Sequence, residues 1–503
     1  MCFASACAQG RGELLSGAGR VADNIGNMRR AKIVSTLGPA VNSLEMIKAL
    51  IAAGMDVARI NRSHGEHDEH SQQIAWVREA AEEAGRPVAV LVDLQGPKIR
   101  SGRFSQGPVA LGQGDIFTIT IDDIDGDQHR VSTTFKGLPG DVNVGDLLLV
   151  DDGKVKLRAI EVTETDVVTE VVDPGVISNN KGINLPGVAV SVPALSEKDE
   201  IDLRWGLREG ADWIALSFVR DAADIKRVHE IMDEEQIHRP VLAKIEKPQA
   251  VANLNEIVAA FDGIMVARGD LGVELPLEEV PIVQKRAIEL CRRMAKPVVV
   301  ATQVLESMMD NPRPTRAETS DCANAVLDGA DAIMLSGETS VGKWPVVAVQ
   351  TMARIIASTE DHGLARIRPL ETTPRTPGGA ITRAAAEIAD QLGAKYLAVF
   401  TTSGDSARRM SRVRPQIPMI ALTQKESTQF KLCLTWGIHP HLVPDFTSTR
   451  RMVEAVDNVL LSSESGFDAA EAGDLVVIVA GTRRGVQGTT NTIQVHRVGS
   501  STY

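Results

Sequence analysis

Aromatic residues make up only 3% of the 503-residue chain, too few for the stacking platforms that grip single-stranded nucleic acid. Positive charge is outnumbered: 54 Lys and Arg stand against 66 Asp and Glu, a formal net charge of −12. Nucleic acid and anionic membrane are therefore not expected partners. An anionic small substrate would need a locally positive pocket. The five cysteines (Cys2, Cys7, Cys291, Cys322 and Cys433) show no zinc-ligand spacing, and an odd count without a framework fits the reducing cytoplasm. No apolar run reaches the roughly 18 residues that a membrane helix needs. Residues 1–27 lack the apolar centre of a secretory signal and read as a disordered N-terminal extension.

What is present is an ordinary globular composition, 43% hydrophobic and 24% charged, in a chain long enough for several domains. From Met28 onward, strand and helix patterns alternate. Strands are expected over 32–37, 55–61 and 88–94, with Ser43 placed to cap the first helix and Gly54 to end it. Residues 101–192 then change to short alternating strands, separated by Gly, Asp and Asn turns, with no helical stripe. The strand–helix alternation returns with strands over 212–218, 241–245, 263–267, 297–302 and 332–335. Eight such units predict an α/β fold, a closed (β/α)₈ TIM barrel. The barrel covers 28–97 and 193–365, with an inserted all-β barrel domain at 98–192. After a Pro- and Thr-rich linker, 375–503 predicts a C-terminal open α/β domain.

In a (β/α)₈ barrel the active site lies at the carboxyl ends of the strands, and the polar residues of this chain collect there. The fifth strand ends in Lys244 and Glu246, and Asp270 follows the sixth. Two carboxylates suit Mg²⁺, which takes oxygen ligands and leaves positions for substrate; a lysine beside them suits a phosphoryl group. Any one such pair, taken alone, reads first as a salt bridge on a solvated sheet edge. Arg59, Lys98 and Arg100 at or just beyond other strand ends favour a pocket for polyanions and a divalent cation. The segment from Gly337 to Trp344 approaches a phosphate-binding Gly-rich loop, but Trp344 replaces the hydroxyl residue after the lysine and excludes it. His64, His67 and His70 are spaced too regularly to share one ion and read as a solvated loop and helix start. Residues 401–406 form either a phosphate cradle or an ordinary helix cap.

Seven segments carry a more specific signal: KIVSTLGP, MDVARINRSHG, DLQGPKIR, KGINLPG, LAKIEKP, MVARGDLGVELP and the long run from ATQVLESMMDNPRPTRAETSD to SGETSVGKWP. With them the chain resembles the pyruvate kinase family from about Met28 to its end. The resemblance implies a catalytic barrel, a β-barrel lid and a C-terminal regulatory domain. It implies a phosphotransferase of glycolysis that moves a phosphoryl group from phosphoenolpyruvate to ADP, giving pyruvate and ATP. Glu246 and Asp270 would ligate Mg²⁺, with Mn²⁺ as a substitute. Lys244 would meet the transferring phosphoryl group, and Arg59, Gly269, Asp270 and Thr302 the substrate. Thr302, Ser336 and Glu338 match the family's proton path to the enolate.

Asn61, Ser63, His64, Arg100 and Lys181 would serve the nucleotide. Asn61, Ser63, Asp93 and the Leu94 carbonyl match a monovalent-cation site. Two positions depart from the pattern. Lys98 stands where potassium-requiring members carry Glu, so activity without K⁺ is expected, and Arg62 replaces an apolar residue. Thr401, Thr402, Ser403, Gly404 and Ser406, near the loop at 482–489, match a site for a phosphorylated allosteric effector. A cytoplasmic homotetramer is implied. The alternatives are a Mg²⁺-dependent 2-oxo-acid aldolase or lyase on a similar barrel, and a phosphometabolite sensor without catalysis.

Overall fold

A computed structural model describes residues 29–188, 190–444, 448–462, 470–481 and 488–500. The expected extension at 1–27 lies outside the described residues. Strands β1 (Lys32–Thr36), β2 (Val57–Asn61) and β3 (Ala89–Asp93) are almost wholly buried, as continuous apolar runs in parallel sheets are. Ser43 caps the helix Leu44–Ala53 by accepting the Met46 N–H, and Gly54 ends it at φ +118.

The insertion follows. It contains β4 (Val109–Leu111), β5 (Ile116–Thr120), β6 (Arg130–Ser132), β7 (Leu147–Val150), β8 (Val155–Val162), β9 (Asp166–Asp173), β10 (Gly175–Ile177) and β11 (Ile183–Asn184). Six of these pair in the order β11-β7-β8-β9-β5-β6, and β4 pairs with β10. Arg100 bridges to Gly182 beside β11, and Ser101 to Thr133 beside β6. That short segment joins the two edges and draws the sheet round one apolar cluster centred on Phe117, Leu148 and Leu157. A single helical turn, Leu138–Asp141, is the one helix here that the pattern did not announce.

The barrel resumes with β12 (Trp213–Leu216), β13 (Val241–Ile245), β14 (Gly263–Ala267), β15 (Val298–Ala301) and β16 (Ala332–Leu335). The eight parallel strands close in the order β1-β16-β15-β14-β13-β12-β3-β2. Their inward residues, among them Val57, Leu91, Trp213, Leu242, Met265 and Met334, fill the interior.

The C-terminal domain adds β17 (Tyr396–Phe400), β18 (Met419–Thr423), β19 (Ile438–Leu442), β20 (Leu475–Gly481) and β21 (Thr490–Arg497), ordered β19-β18-β17-β20-β21. The antiparallel β21 is not among the strands expected from the sequence, because its half-exposed, polar alternation is weak until β20 pairs with it. This domain sits on the barrel's amino-terminal floor. Its Cys433 and Leu434 join the apolar cluster inside the barrel, and the Lys32 ammonium, at the start of β1, donates to the Ile438 carbonyl at 2.8 Å.

At that floor an aspartate precedes every second barrel strand and accepts an N–H from the neighbouring one. Asp56 takes Ile33 at 2.8 Å, Asp212 takes Val90 at 2.7 Å, Asp262 takes Val241 at 3.1 Å and Asp331 takes Val298 at 3.1 Å. Each also meets a cation: Arg29, Arg78, Lys431 and Arg414 respectively. The last two cations belong to the C-terminal domain, so the same carboxylates that lock strand register also dock that domain. No helix among the described residues is long and apolar enough to cross a membrane.

Candidate active site

The opposite, carboxyl-terminal mouth of the barrel gathers the residues expected to do chemistry. Lys244 lies near the end of β13 and Glu246 directly after it, two apart along extended chain, so both Cβ atoms project on the same side. The Lys244 Nζ is 2.9 Å from Glu246 Oε1 and 3.4 Å from Asp93 Oδ1. It donates to Ser217 Oγ at 2.7 Å, and that hydroxyl passes a hydrogen bond to the Leu94 carbonyl at 2.8 Å. Burial pushes the lysine pKa down, but Asp93 and then Glu246 outweigh it and hold the ammonium above its ordinary range. For Glu246 burial is the leading cause and moves the carboxyl up against the pull of Lys244; Asp270 adds in the same direction. Asp270 is thus close enough to act on both.

Arg59, at the end of β2, grips Asp93 Oδ2 through Nε and Nη2, both at 2.7 Å, and donates to Thr36 Oγ1 at 3.0 Å. Glu246 Oε2 accepts the Phe218 N–H at 2.7 Å. The remaining oxygens, Asp93 Oδ1 and Glu246 Oε1, are buried and meet only the Lys244 ammonium, at 3.4 and 2.9 Å, while Ser336 Oγ is buried without a hydrogen bond. Two buried carboxylate oxygens thus share one ammonium and leave room for further positive charge from outside. Two hard carboxylates, Glu246 buried and Asp270 about 29% exposed at its side chain, form a donor set that fits Mg²⁺ sharing its remaining positions with a ligand. No cluster of three or more metal-ligating side chains occurs among the described residues.

Thr302 follows β15 at φ +66 and Gln303 at φ +53, where a β-branched residue is rare. The Thr302 hydroxyl donates to the Ala301 carbonyl at 2.6 Å and accepts the Gly269 N–H at 2.7 Å. Glu338 is buried with its oxygens spent on the Leu305 and Ser336 N–H groups, and burial raises its pKa. It ties together the loops after β15 and β16.

Cations ring the mouth. Burial, then Arg100, Arg59, Lys98 and Lys198, all lower the pKa of the exposed His64 imidazole. Lys98 lies 3.7 Å from Asp270, and its nearest acid is thus Asp270 rather than Asp93. Arg100 donates to the Asn180 carbonyl at 3.2 Å, and Lys181 pairs with Asp151 at 2.8 Å; both sit on the inserted β domain. Asn61 accepts the Ser63 N–H at 3.3 Å. Gly96 turns the chain into the inserted β domain at φ +74, where a Cβ would come within 2.7 Å of Ser217 and Phe218, so only glycine fits.

The histidine reading needs correction. His67 opens the helix His67–Glu83, stacks on Trp205 at 4.9 Å and reaches Asp202 at 2.8 Å. His70 is buried against Arg62, which itself pairs with Asp202 at 3.0 Å. They belong to the packed wall behind the 61–65 loop rather than to a solvated loop, because Trp205 and Asp202 from a distant helix cover them. Arg62 is part of that wall.

In the C-terminal domain the 401–406 loop joins β17 to the helix Asp405–Ser411. Thr401 Oγ1 accepts the Gly404 N–H at 2.9 Å, the Thr402 carbonyl accepts Thr428 at 2.8 Å, and the Ser403 carbonyl faces Arg408 at 3.5 Å. Ser406 Oγ is buried on Thr490 Oγ1 at 2.5 Å, so its hydroxyl is already engaged. Of the neighbouring loop, 482–487 lies outside the described residues.

Ser217, Thr36 and Arg268 escaped the reading of the sequence. Each is a single polar residue in an apolar run or beside a better-known one, and only its contacts mark it. The Asn184 amide of the inserted β domain donates to Glu274 at 2.9 Å, and Lys247 meets the same carboxylate at 2.5 Å, a tie of the same kind between that domain and the barrel.

A family model described as pyruvate kinase, barrel domain, matches residues 28–349, and one described as pyruvate kinase, alpha/beta domain, matches 379–496. The chain is 55% identical over 474 residues to a pyruvate kinase of Corynebacterium glutamicum, covering 94% of this chain and 98% of that one. It is 56% identical over 471 residues to a pyruvate kinase of Mycobacterium intracellulare (94% and 99%) and 54% identical over 471 residues to one of Mycobacterium tuberculosis (94% and 99%).

Proposed function

The chain belongs to the pyruvate kinase family, and from that premise we propose how its own residues carry the reaction. The protein is a phosphotransferase that moves the phosphoryl group of phosphoenolpyruvate to ADP, giving ATP and pyruvate. Glu246 and Asp270 hold Mg²⁺, or Mn²⁺ in its place. The ion, when bound, supplies positive charge to the carboxylate and enol oxygen of the substrate. Lys244, kept charged by Asp93 and Glu246, meets the phosphoryl oxygens as the P–O bond to the enol breaks and the bond to ADP forms. Arg59 neutralises the same group from the β2 side, Gly269 and Thr302 position the substrate, and Asn61, Ser63, His64, Arg100 and Lys181 face the nucleotide.

The leaving enolate takes a proton at carbon to become pyruvate. Thr302 and Ser336 lie on that path, with Glu338 holding the two loops. The observation that carries the reading is the Lys244 ammonium wedged between Glu246 Oε1 at 2.9 Å and Asp93 Oδ1 at 3.4 Å, two buried oxygens that it alone serves.

Lys98 brings a fixed positive charge to the mouth, and K⁺ is not required; Asn61, Ser63, Asp93 and the Leu94 carbonyl are the positions that would otherwise hold it. The domains are the catalytic barrel (28–97 and 193–365), the lid (98–192) and the regulatory domain (375–503), with 1–27 as an extension. A phosphorylated effector at the 401–406 loop, a homotetramer and a cytoplasmic location complete the reading on family likeness. Pyruvate formation from phosphoenolpyruvate tests it. The expected result is dependence on both ADP and Mg²⁺, with equal rates in K⁺ and Na⁺. Turnover without ADP would point to a lyase instead, and a steep requirement for K⁺ would overturn the role of Lys98.

A further inference from the structure

Thr302 and Gln303 are two consecutive non-glycine residues in the left-handed region, φ +66 and φ +53, at the end of β15. A turn that costly persists only where its surroundings over-determine it. One side chain does so here. The Arg268 guanidinium donates to the Thr302 carbonyl from Nη2 at 2.8 Å and from Nε at 3.2 Å, and to the Gln303 carbonyl from Nη2 at 3.1 Å. Its Nη1 is anchored by both oxygens of Asp321, at 2.9 and 2.7 Å, on the helix Arg316–Asp328. A second contact of Nη1, to Gln284 at 3.4 Å, braces it against another helix. The rigid planar fork suits two adjacent carbonyls in a way that a lysine cannot match. The next residue, Gly269, gives its N–H to the Thr302 hydroxyl at 2.7 Å. Residues 268 and 269 therefore hold Thr302 from both sides, by its carbonyl and by its hydroxyl.

We propose that Arg268 is a positioning residue for the reaction: it holds the Thr302–Gln303 turn left-handed and so keeps the Thr302 hydroxyl in register with the Gly269 N–H at the substrate's place. The inference rests on the reading of Thr302 given above. Arg268 itself stays behind the turn, partly buried against protein groups, and touches no reacting atom. Asp321, which fixes the guanidinium from the outer ring of helices, acts through it.

The test uses Arg268→Gln, Arg268→Lys, Gln303→Gly, the double variant R268Q/Q303G and Thr302→Val in the full chain. Three quantities are read: kcat and KM for phosphoenolpyruvate, the rate at which the methyl group of pyruvate takes up deuterium from D₂O with ATP and Mg²⁺ present, and the melting temperature. Misplacing a contact by about 1 Å can cost about 10²-fold. R268Q is expected to lose about that factor in kcat and in deuterium uptake together, with KM within about threefold. R268K loses less, since an ammonium can serve one carbonyl at a time. Q303G keeps wild-type activity. Added to R268Q it recovers about tenfold, because glycine adopts the left-handed turn without the clamp.

R268Q within threefold of wild type overturns the inference, as does a fall in kcat with deuterium uptake unchanged, or a double variant no better than R268Q. Should R268Q not fold, R268K with and without Q303G carries the same comparison. Active T302V would defeat the reading of Thr302 and the inference with it. Inactive T302V beside active R268Q would defeat the inference alone.

Discussion

The two ends of the barrel use buried carboxylates in opposite ways. At the floor, Asp56, Asp212, Asp262 and Asp331 each spend an oxygen on a neighbouring strand's N–H and face a cation. At the mouth, Asp93 and Glu246 are at least as deeply buried, yet each has an oxygen served only by the one Lys244 ammonium that they share. Charge balance is similar at both ends; what differs is the supply of donors. A buried carboxylate given N–H groups and a cation is a structural joint, since its desolvation is offset within the fold. One whose oxygen has only a shared ammonium is held ready for a group that arrives from outside.

Lys244→Met breaks the comparison at the mouth. It should lower kcat by about 10³-fold or more in protein that still folds, as loss of a phosphoryl-stabilising cation does. A variant within tenfold of wild type would remove the ammonium from the chemistry. Asp331→Ala breaks it at the floor. It leaves Arg414 buried without its acid and strips the N–H groups of Val298 and Trp436 of their acceptor. The expected cost is about 3 kcal/mol of stability, seen as a lower urea midpoint, with kcat of the folded enzyme within about threefold. A large loss of kcat at full stability would mean that floor and mouth are not separable.

His70 sharpens the comparison, because it lies beside the mouth but is packed like the floor. Burial, and then Arg62, lower its pKa to about 4 from 6.5, against the smaller opposing pull of Asp202. The unfolded chain therefore binds a proton below pH 6.5 that the folded one refuses until about pH 4. Stability from this group is full above pH 6.5 and is lost as pH falls through that window, by about 2 kcal/mol between pH 6.5 and 5. His70→Gln should flatten the drop in melting temperature over that interval; equal slopes for both proteins would show that the imidazole is not held neutral.

Local chemistry was readable wherever a residue acts through its own neighbours. Ser43 caps its helix by accepting the N–H three positions on, and Lys244 and Glu246, at and just past the end of β13, share a side because Cβ atoms alternate along extended chain. Residues that act through distant partners were not readable in the same way. Arg268 looked like one more charge in MVARGDLG until Thr302, Gln303 and Asp321 closed around it. Ser217 was a polar residue at a strand end until Lys244 and the Leu94 carbonyl met it. The floor aspartates stand one residue before alternate strands in plain view, but their purpose is the N–H of another strand. β21 lacked the apolar run that marked its neighbours and is defined by its partner.

The sequence by itself determined the succession of strands and helices, the interruption by an all-β segment and the kinds of side chain at the strand ends. Those follow from periodicity and from the geometry of a few consecutive residues, which the chain carries wherever it goes. Only the tertiary structure decided which carboxylate oxygens are satisfied, which share one ammonium, and that Thr302 is held left-handed. Those outcomes depend on donors more than 25 residues away, such as the Phe218 N–H on Glu246 and the Arg268 guanidinium on the Thr302 carbonyl, and closure of the barrel is what brings such groups within 3 Å.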